Sequence, residues 1–452
     1  MAATAGVQNP SRRNRRPLFA LLGADGISQT GNTLAMVAIP WYVLETTGSA
    51  ALTGVTAAAE TVAIVISGVL GGVIVDRLGQ KRTSIIGDLA SAATIALIPL
   101  LDQTVGLAYW QLLVLVFLGA VLDTPGRTAR RGLYATVARL GAVGLERTNT
   151  SALTVNRAAG LAGPLLAGVL IAALGPTPVL WIDAATFLVS AGLVAAGIPG
   201  RIVPRPVGTV GTVDGAAMAG IRPAIGRYLE DVREGFRFIG GDRVIGTLLV
   251  VFSLGSLLAE PMWSVVFPVY ADQVFGSALD LGIIFGALAA GSLLGNAVSF
   301  VWGPRLPRRA TLIAGFTVRV LTLWVIVAMP PLWVIVVAVV VNALFLEPTN
   351  PIWMTVFHER IPEALYGRVL GALLSLIYAA RTLGVVVYGL LLEWAGLRPT
   401  LVVLAVVNVV VPLVLWLTPA LRGLDASRAT GGADGTGERH PRAAALAEGE
   451  LG

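Results

Sequence analysis

Runs of about twenty apolar residues recur along the whole chain, and this repetition constrains its fold more than any other feature. Of the 452 residues, 56% are hydrophobic and only 13% are charged, and the mean hydropathy is +0.80. An apolar segment of about 20 residues can cross a hydrocarbon core about 30 Å thick as a helix. An all-α membrane protein is therefore predicted, because backbone polar groups inside a bilayer must be paired within their own helix.

Twelve such segments are predicted, in two groups of six. The first group covers residues 18–44, 53–75, 83–101, 107–124, 150–173 and 178–198, and the second covers 244–270, 279–302, 310–329, 332–357, 367–392 and 399–417. The predicted organisation is a basic N-terminus over 1–17, a six-helix bundle over 18–198, a linker over 199–243, a second six-helix bundle over 244–417 and a disordered tail over 418–452.

The second part of the linker is predicted to form an amphipathic helix on the inner membrane surface. Its apolar residues fall at helical spacing, with arginines between them: Ile221, Ile225, Leu229, Val232, Phe236 and Ile239. Such a helix either simply anchors the linker or binds an anionic lipid or a regulator.

Basic residues gather in alternate loops, and this asymmetry orients the chain. With the N-terminus inside, one side carries the arginine-rich loops, including Arg77, Arg131 and Arg309, whereas the other carries mainly acids such as Asp102 and Glu393. Both termini are therefore expected in the cytoplasm, in a multi-pass protein of the cytoplasmic (inner) membrane. Topology also explains the net charge of +6, so nucleic acid is not expected as a partner.

Several function classes are disfavoured by what the chain lacks. Cysteine is absent and histidine is limited to His358 and His440. Disulfides, a metal site, a cofactor and an enzyme active site are therefore not expected. No phosphate-binding loop of the ATP-pump type occurs, so a secondary transporter is predicted.

A glycine-hinged, charged turn lies between the second and third apolar segments. It runs Gly72-Val-Ile-Val-Asp76-Arg77-Leu-Gly79-Gln-Lys81-Arg82. Such a cluster of charges belongs at the membrane–water boundary. The spacing resembles the signature loop between helices 2 and 3 of the major facilitator superfamily. The resemblance implies a gate on the cytoplasmic side, with Asp76 pairing with Arg127, Arg130 or the start of helix 11 when the protein faces outward.

An internal repeat supports two related halves. A shift of 221 positions aligns Gly163 with Gly384, Gly168 with Gly389 and Gly175 with Gly396. In transporters whose halves are related in this way, the substrate lies between the halves and rocking alternates its access. Helices 5 and 11 are expected to pack tightly at the interface of the halves through Gly163, Gly168, Gly384 and Gly389, although plain close packing of helices is the alternative.

The resemblance extends from about Leu18 to Leu417 and is nearest to the drug:proton antiporter-3 branch, the macrolide-efflux and enterobactin-exporter type. It rests on Gly23–Asn32 in helix 1, Asp183–Phe187 in helix 6 and Gly367–Val369 before helix 11. Helix 5 adds Gly160-Leu-Ala-Gly163-Pro164-Leu-Leu-Ala167-Gly168, which looks like the antiporter motif of exporters. One departure is that helix 4 is expected to lack the buried arginine of other drug-antiporter branches.

Charges predicted deep in the membrane are the candidates for energy coupling. Asp25, Glu60 and Glu260 are the deepest acids, and Arg157 and Arg381 are predicted as their buried partners. A carboxyl group takes up a proton readily when water is withdrawn, so at least one of the three acids is predicted to carry the coupling proton. The alternative is a permanent structural ion pair.

Asn32, Trp263 and Tyr378 are candidates for the substrate cavity, although aromatic residues near helix ends are often interfacial. Efflux of a drug-like compound or secondary metabolite in exchange for protons is predicted, by a chain expected to act as a monomer among membrane lipids. Siderophore export by the same fold is the first alternative, and a membrane sensor or enzyme is the second.

Overall fold

Thirteen helices make up the part of the chain described by the computed structural model, which covers residues 15–199, 221–419 and 421. Side chains at 69, 70, 72, 73, 221–229, 231 and 304 are not described. The first half comprises α1 Arg16–Thr47, α2 Ala50–Leu78, α3 Gln80–Thr104, α4 Tyr109–Leu140, α5 Leu145–Leu174 and α6 Pro176–Gly197. The linker helix is α7 Ile221–Gly241. The second half comprises α8 Arg243–Phe275, α9 Ala278–Trp302, α10 Arg308–Val327, α11 Leu332–Arg360, α12 Glu363–Ala395 and α13 Leu397–Leu417.

Three helices of the second half are interrupted. Helix α8 is α-helical to Pro261 and then includes two π-helical turns, Met262–Val266 and Ala271–Phe275. Helix α11 consists of Leu332–Leu346 and Thr349–Arg360, separated at Glu347–Pro348, where proline lacks the N–H of the helical ladder. Helix α13 has a milder break at Val409. Irregular backbone of this kind is typical of helices that border a cavity.

Glycines at positive φ permit the tightest turns between helices. Gly79 (φ 78°) joins α2 to α3 within the charged motif. Gly175 (φ 83°) joins α5 to α6, and Gly396 (φ 81°) joins α12 to α13. These last two positions correspond under the 221-residue shift, so the repeat in the sequence is also a repeat in backbone conformation.

The helices run alternately in opposite directions, and eleven of them are long and apolar enough to span a membrane within the described residues. Helix α1 has the length but is more polar, since it carries Asp25, Gln29 and Asn32. We call the side where α1 begins and α13 ends the basic side, because Arg77, Lys81 and Arg309 lie there. The other is the opposite side.

Each half is a bundle, and two helix pairs join the halves. In the first half α1 packs against α5 and α6, and α3 packs against α4 and α6; between the halves α2 packs against α12 and α5 against α9. The glycine contacts of both pairs lie toward the opposite side. On the basic side, Leu153 of α5 (53% exposed) and Leu374 of α12 (40% exposed) are uncovered. The glycine contacts close the opposite side, and from the exposed leucines we infer that the described conformation is open toward the basic side.

Helix α4 differs most from the sequence prediction. Its predicted end near residue 124 is wrong, since the helix continues to Leu140 through Pro125. The arginines placed in a loop are therefore helical. The extension is stable because Arg130 and Leu133 of this segment are buried (1% and 0% exposed).

Helix α7 covers the predicted amphipathic helix over the described residues, and its described side chains place it against α12. Ile239 is 5% exposed. Gly235 is so close to the carbonyl oxygen of Arg368 that no side chain fits between them. An ion pair of 2.6 Å joins Glu234 to Arg368. The start of the linker, the N-terminal arginines before Arg15 and the predicted tail lie outside the described residues.

Candidate functional site

Three charged side chains from both halves form the central cluster: Glu60, Glu260 and Arg381. Arg381 of α12 and Glu260 of α8 form an ion pair with 2.5 Å between Nη2 and Oε1, and both side chains are partly exposed (33% and 23%). At about 1.5 Å per residue, each lies about 20 Å from the opposite end of its helix. The pair is therefore near the middle of the membrane and still reachable by solvent.

Glu60 of α2 brings the first half into the central cluster. It is exposed, although it lies ten residues inside its helix. Arg381 and Glu260 act on it electrostatically, as do Asp123 and Arg127 of α4, and we infer that its carboxylate faces the space between the halves rather than lipid. Within the central cluster two carboxylates share one arginine, and the ion pair of Asp123 with Arg127 adds no net charge, so a net negative charge remains. A cation or a proton would balance that charge.

Aromatic side chains border the central cluster about one helical turn away. Trp263 follows Glu260 on α8 and stacks against Phe267 with ring centroids 5.2 Å apart. Tyr378 precedes Arg381 on α12 and is half-buried. Asn32 of α1 has a buried Nδ2 without a hydrogen-bond partner among the described residues. An apolar wall beside a few charged groups is the usual composition of a small-molecule site.

Asp25 belongs to a different set of residues, a buried polar network inside the first half. Its Oδ2 accepts hydrogen bonds from Tyr134 Oη (3.0 Å) and Asn156 Nδ2 (2.6 Å). Arg130 Nη1 lies 3.8 Å from its Oδ1. The side chain of Asp25 is 17% exposed. Asp25 is therefore held between α1, α4 and α5, away from the central cluster.

Arg130 joins this network to α3 and α6. Its guanidinium forms a close ion pair with Asp88, and each of the two side chains is 1% exposed. Ser190 Oγ donates to the second oxygen of Asp88 at 2.7 Å. The expectation that helix 4 lacks a buried arginine is therefore wrong. It fails because hydropathy alone does not distinguish an arginine buried by two acids from one in a loop.

Arg157 does not have the predicted role. It is exposed, and it forms no ion pair with the described residues. Its neighbour Asn156 faces Asp25 instead, because successive helical residues point about 100° apart. Arg157 is therefore not a buried-charge partner, whereas Arg381 does lie against Glu260.

The charged turn has two different parts. Lys81 Nζ donates to the carbonyl oxygens of Ala195 (2.8 Å) and Ile198 (2.5 Å) at the end of α6, which fastens α3 to α6 on the basic side. Asp76 and Arg77 are exposed and form no ion pair with the described residues. Arg127, a predicted partner of Asp76, lies 3.6 Å from Asp123 instead. The predicted gate contact is therefore not formed among the described residues, and it stays a prediction for a conformation closed on the basic side.

Four glycines predicted at the interface of the halves occupy two kinds of position. Gly168 meets Gly282 of α9, where a Cβ would lie 2.8 Å from the Gly282 Cα. Gly389 meets Gly54 of α2, with a corresponding distance of 3.2 Å. Helices α5 and α12, which are the predicted helices 5 and 11, thus contribute to the interface, each by packing against another helix of the facing half.

The other members of the glycine set lie inside the halves, which corrects the prediction. A Cβ on Gly163 would clash with Thr33 of α1, and one on Gly384 would lie 3.1 Å from Pro261 of α8. Pro164 is buried in α5, and its carbonyl oxygen approaches Gly282. Gly160 has open space around it. Both faces of α5 carry small residues. Sequence spacing alone therefore cannot tell which glycine meets the facing half and which meets a helix of its own half.

Two helical halves, a charged centre shared between them and a closure on one side define a class of protein: a membrane transporter that moves a solute through the space between the halves. A model of the Major Facilitator Superfamily matches residues 21–303 and 252–446. The chain belongs to this superfamily, and it is a transporter rather than an enzyme.

Relatives in sequence agree over nearly the whole chain. The Multidrug efflux pump Tap of Mycolicibacterium fortuitum is 33% identical over 420 residues, which cover 91% of this chain and 98% of that protein. Macrolide efflux protein A of Streptococcus pyogenes is 20% identical over 413 residues, covering 90% and 97%.

Solved structures share the fold. The crystal structure of the nucleoside transporter NupG has a TM-score of 0.71 at 12% identity and covers 88% of this chain and 98% of its own. A bacterial homologue of the human lysosomal transporter Spinster, in an inward-facing and unoccupied conformation, has a TM-score of 0.64 at 14% identity, with coverage of 93% and 99%. At these identities the likeness concerns the fold alone.

Proposed function

We propose that this transporter exports a drug-like compound or secondary metabolite from the cytoplasm in exchange for protons. The observation that carries the proposal is the central cluster, in which Glu60 and Glu260 face one arginine across the interface of the halves. The named activities of the relatives, multidrug and macrolide efflux, support export.

In this proposal the basic side is cytoplasmic, in accordance with the positive-inside rule. Substrate enters the open side and contacts Trp263 and Tyr378 next to the central cluster. A cationic substrate and a proton compete for the same carboxylates, since either one neutralises the surplus negative charge left by a single arginine. Exchange follows, because a carboxylate that has released its substrate outside binds a proton before the halves rock back.

Substrate transport in membrane vesicles with an imposed pH difference tests this proposal. Glu60→Gln and Glu260→Gln remove one negative charge each while keeping the shape of the side chain. We expect each to reduce proton-driven accumulation of a cationic drug at least about tenfold, the effect of losing about 1.4 kcal/mol of coupling. Glu45→Gln, an exposed acid at the end of α1, is the matched control and should transport normally.

The substrate can be identified by comparing drug susceptibility and drug accumulation in cells with and without the protein. Normal proton-driven transport by both cluster variants would contradict coupling through this cluster and return the role to Asp25. Export of an iron chelate with no effect on any drug would favour the siderophore alternative.

A further inference from the structure

Arg319 lies in the middle of the second half and is separate from the central cluster. It is the twelfth residue of α10, about 16 Å from the basic end of that helix at 1.5 Å per residue. Only 8% of its surface is exposed. An arginine at this depth is costly unless an opposite charge or water compensates it.

The protein groups around Arg319 do not neutralise it. Its Nη2 donates to the carbonyl oxygen of Gly255 at 3.5 Å, which is a long hydrogen bond. Tyr388 of α12 is the titratable group that acts on it electrostatically, and a tyrosine is neutral at ordinary pH. Among the described residues no carboxylate lies within ion-pair distance of Arg319, whereas Arg130 has two acids and Arg381 has Glu260.

A cavity of about 50 Å³ opens beside this guanidinium, between α8, α10 and α11. Asn342 lines it, is 6% exposed, and has a buried Oδ1 without a hydrogen-bond partner among the described residues. The Asn342 amide can present its NH₂ group equally well, since its two ends are exchanged by a rotation of the side chain. Thr322 lines the cavity too and is 7% exposed.

We propose that this cavity binds a small monovalent anion such as chloride, as the counter-ion of Arg319. A single water needs about 10–15 Å³ by this measure of volume, so the cavity has room for a monatomic ion together with a few waters. Arg319 supplies the charge, and the Asn342 amide supplies a further donor. Trp263 and Phe267 also line the cavity, and the edge of an aromatic ring carries partial positive charge that can face an anion.

This site holds or releases its anion whatever the substrate is, so it does not depend on the proposed function. Because α8 contributes both Trp263 to this cavity and Glu260 to the central cluster, anion binding would also stabilise the wall of the transport pathway. Chloride is present in every cell. The expected effect of the site is that the thermal stability of the protein depends on the halide concentration.

The test uses the full-length protein purified in detergent, in sodium gluconate at constant ionic strength. Sodium chloride or bromide replaces the gluconate stepwise, and the thermal unfolding midpoint is followed. We expect a saturable rise with either halide. Arg319→Met should abolish it, and Asn342→Leu should raise the half-saturating halide concentration about tenfold, as expected for one lost hydrogen bond to a charged group.

Arg157→Met is the matched control, since it removes an exposed arginine of the first half and should leave the halide response unchanged. Arg319→Lys keeps the charge and should retain a weaker halide response. It provides a second test of the site if the methionine variant does not fold. A wild-type protein that unfolds identically in halide and gluconate would overturn the proposal, as would a full response in both Arg319→Met and Asn342→Leu. A response confined to phosphate or to added anionic lipid would likewise rule out a halide site.

Discussion

Four arginines lie within the spans, and their surroundings separate them. Arg130 is buried between Asp25 and Asp88, Arg381 shares the central cluster with two glutamates, Arg319 faces a cavity, and Arg157 is exposed. A paired and fully buried arginine holds helices together, whereas a partly exposed one beside surplus acid is available for ligand exchange. Burial and pairing, rather than depth, therefore assign the roles.

The network around Arg130 makes a stability prediction at the residue scale. Arg130→Gln leaves the buried carboxylate of Asp88 without its cation, and breaking a buried ion pair by removing one partner costs about 3–5 kcal/mol. The adjacent Arg131→Gln is the matched control, because Arg131 is exposed and a surface change alters stability by about 0.5 kcal/mol or less. We expect a much lower thermal unfolding midpoint for the first variant in detergent. Equal midpoints would show that the network contributes no stability.

The sequence predicts the acids of the central cluster better than the arginines. Glu60, Glu260 and Arg381 stand out because a charge in an otherwise apolar run is conspicuous. Arg130 is one of four arginines in α4, and Arg319 lies in a predicted segment that begins directly after Arg309. Their burial depends on which residues of other helices face them, and helical spacing within one segment contains no such information.

At the scale of helices, the sequence predicts which helices exist and their order along the chain, but it does not predict where each helix ends. All twelve segments appear, yet α4 is sixteen residues longer than its predicted end at 124, and α12 begins at Glu363 rather than at 367. The extra turns lie on the basic side, where polar residues stay helical by packing on neighbouring helices. Apolar length therefore marks the part of a helix inside the membrane, not the whole helix.

The prediction at this scale concerns the close contact between Gly168 of α5 and Gly282 of α9. Gly168→Leu places a side chain against the Gly282 backbone, and overpacking of such a contact costs about 1–3 kcal/mol. This cost falls on the conformation closed on the opposite side, so transport should drop at least about fivefold at unchanged membrane abundance. Gly160→Leu, eight residues earlier on α5 and with open space around it, is the control. Similar transport by the two variants would exclude a special role for the glycine contact.

The whole molecule has contacts that belong to one conformation only. On the opposite side, the Glu393 carboxylate accepts hydrogen bonds from Ser49 Oγ (3.0 Å) and from the backbone N–H of Ala51 (3.3 Å), at the start of α2 in the facing half. On the basic side, Asp76 has no such contact with the residues that the structure describes. The predicted gate formed by Asp76 and the observed contact of Glu393 would therefore stabilise opposite ends of the rocking motion.

This difference predicts population shifts of opposite sign. Glu393→Gln weakens the described conformation, whereas Asp76→Asn weakens only the one closed on the basic side. An exposed hydrogen bond contributes about 1 kcal/mol, which changes the ratio of the two conformations about fivefold. Spin labels can report both sides, because the chain has no cysteine of its own. Suitable exposed positions are Arg139 with His358 on the basic side and Val105 with Gln273 on the opposite side.

Pulsed electron–electron distance measurements on the full-length protein should then show shorter 139–358 distances and longer 105–273 distances in Glu393→Gln. Asp76→Asn should show the reverse changes, together with lower transport at unchanged abundance. Glu363→Gln, an exposed acid in the first turn of α12 on the basic side, controls for loss of charge alone and should match the wild type. If Asp76→Asn leaves both distributions and transport unchanged, the charged turn forms no gate. If both variants shift the populations in the same direction, the two contacts do not belong to opposite conformations, and alternation must be governed by the glycine interfaces instead.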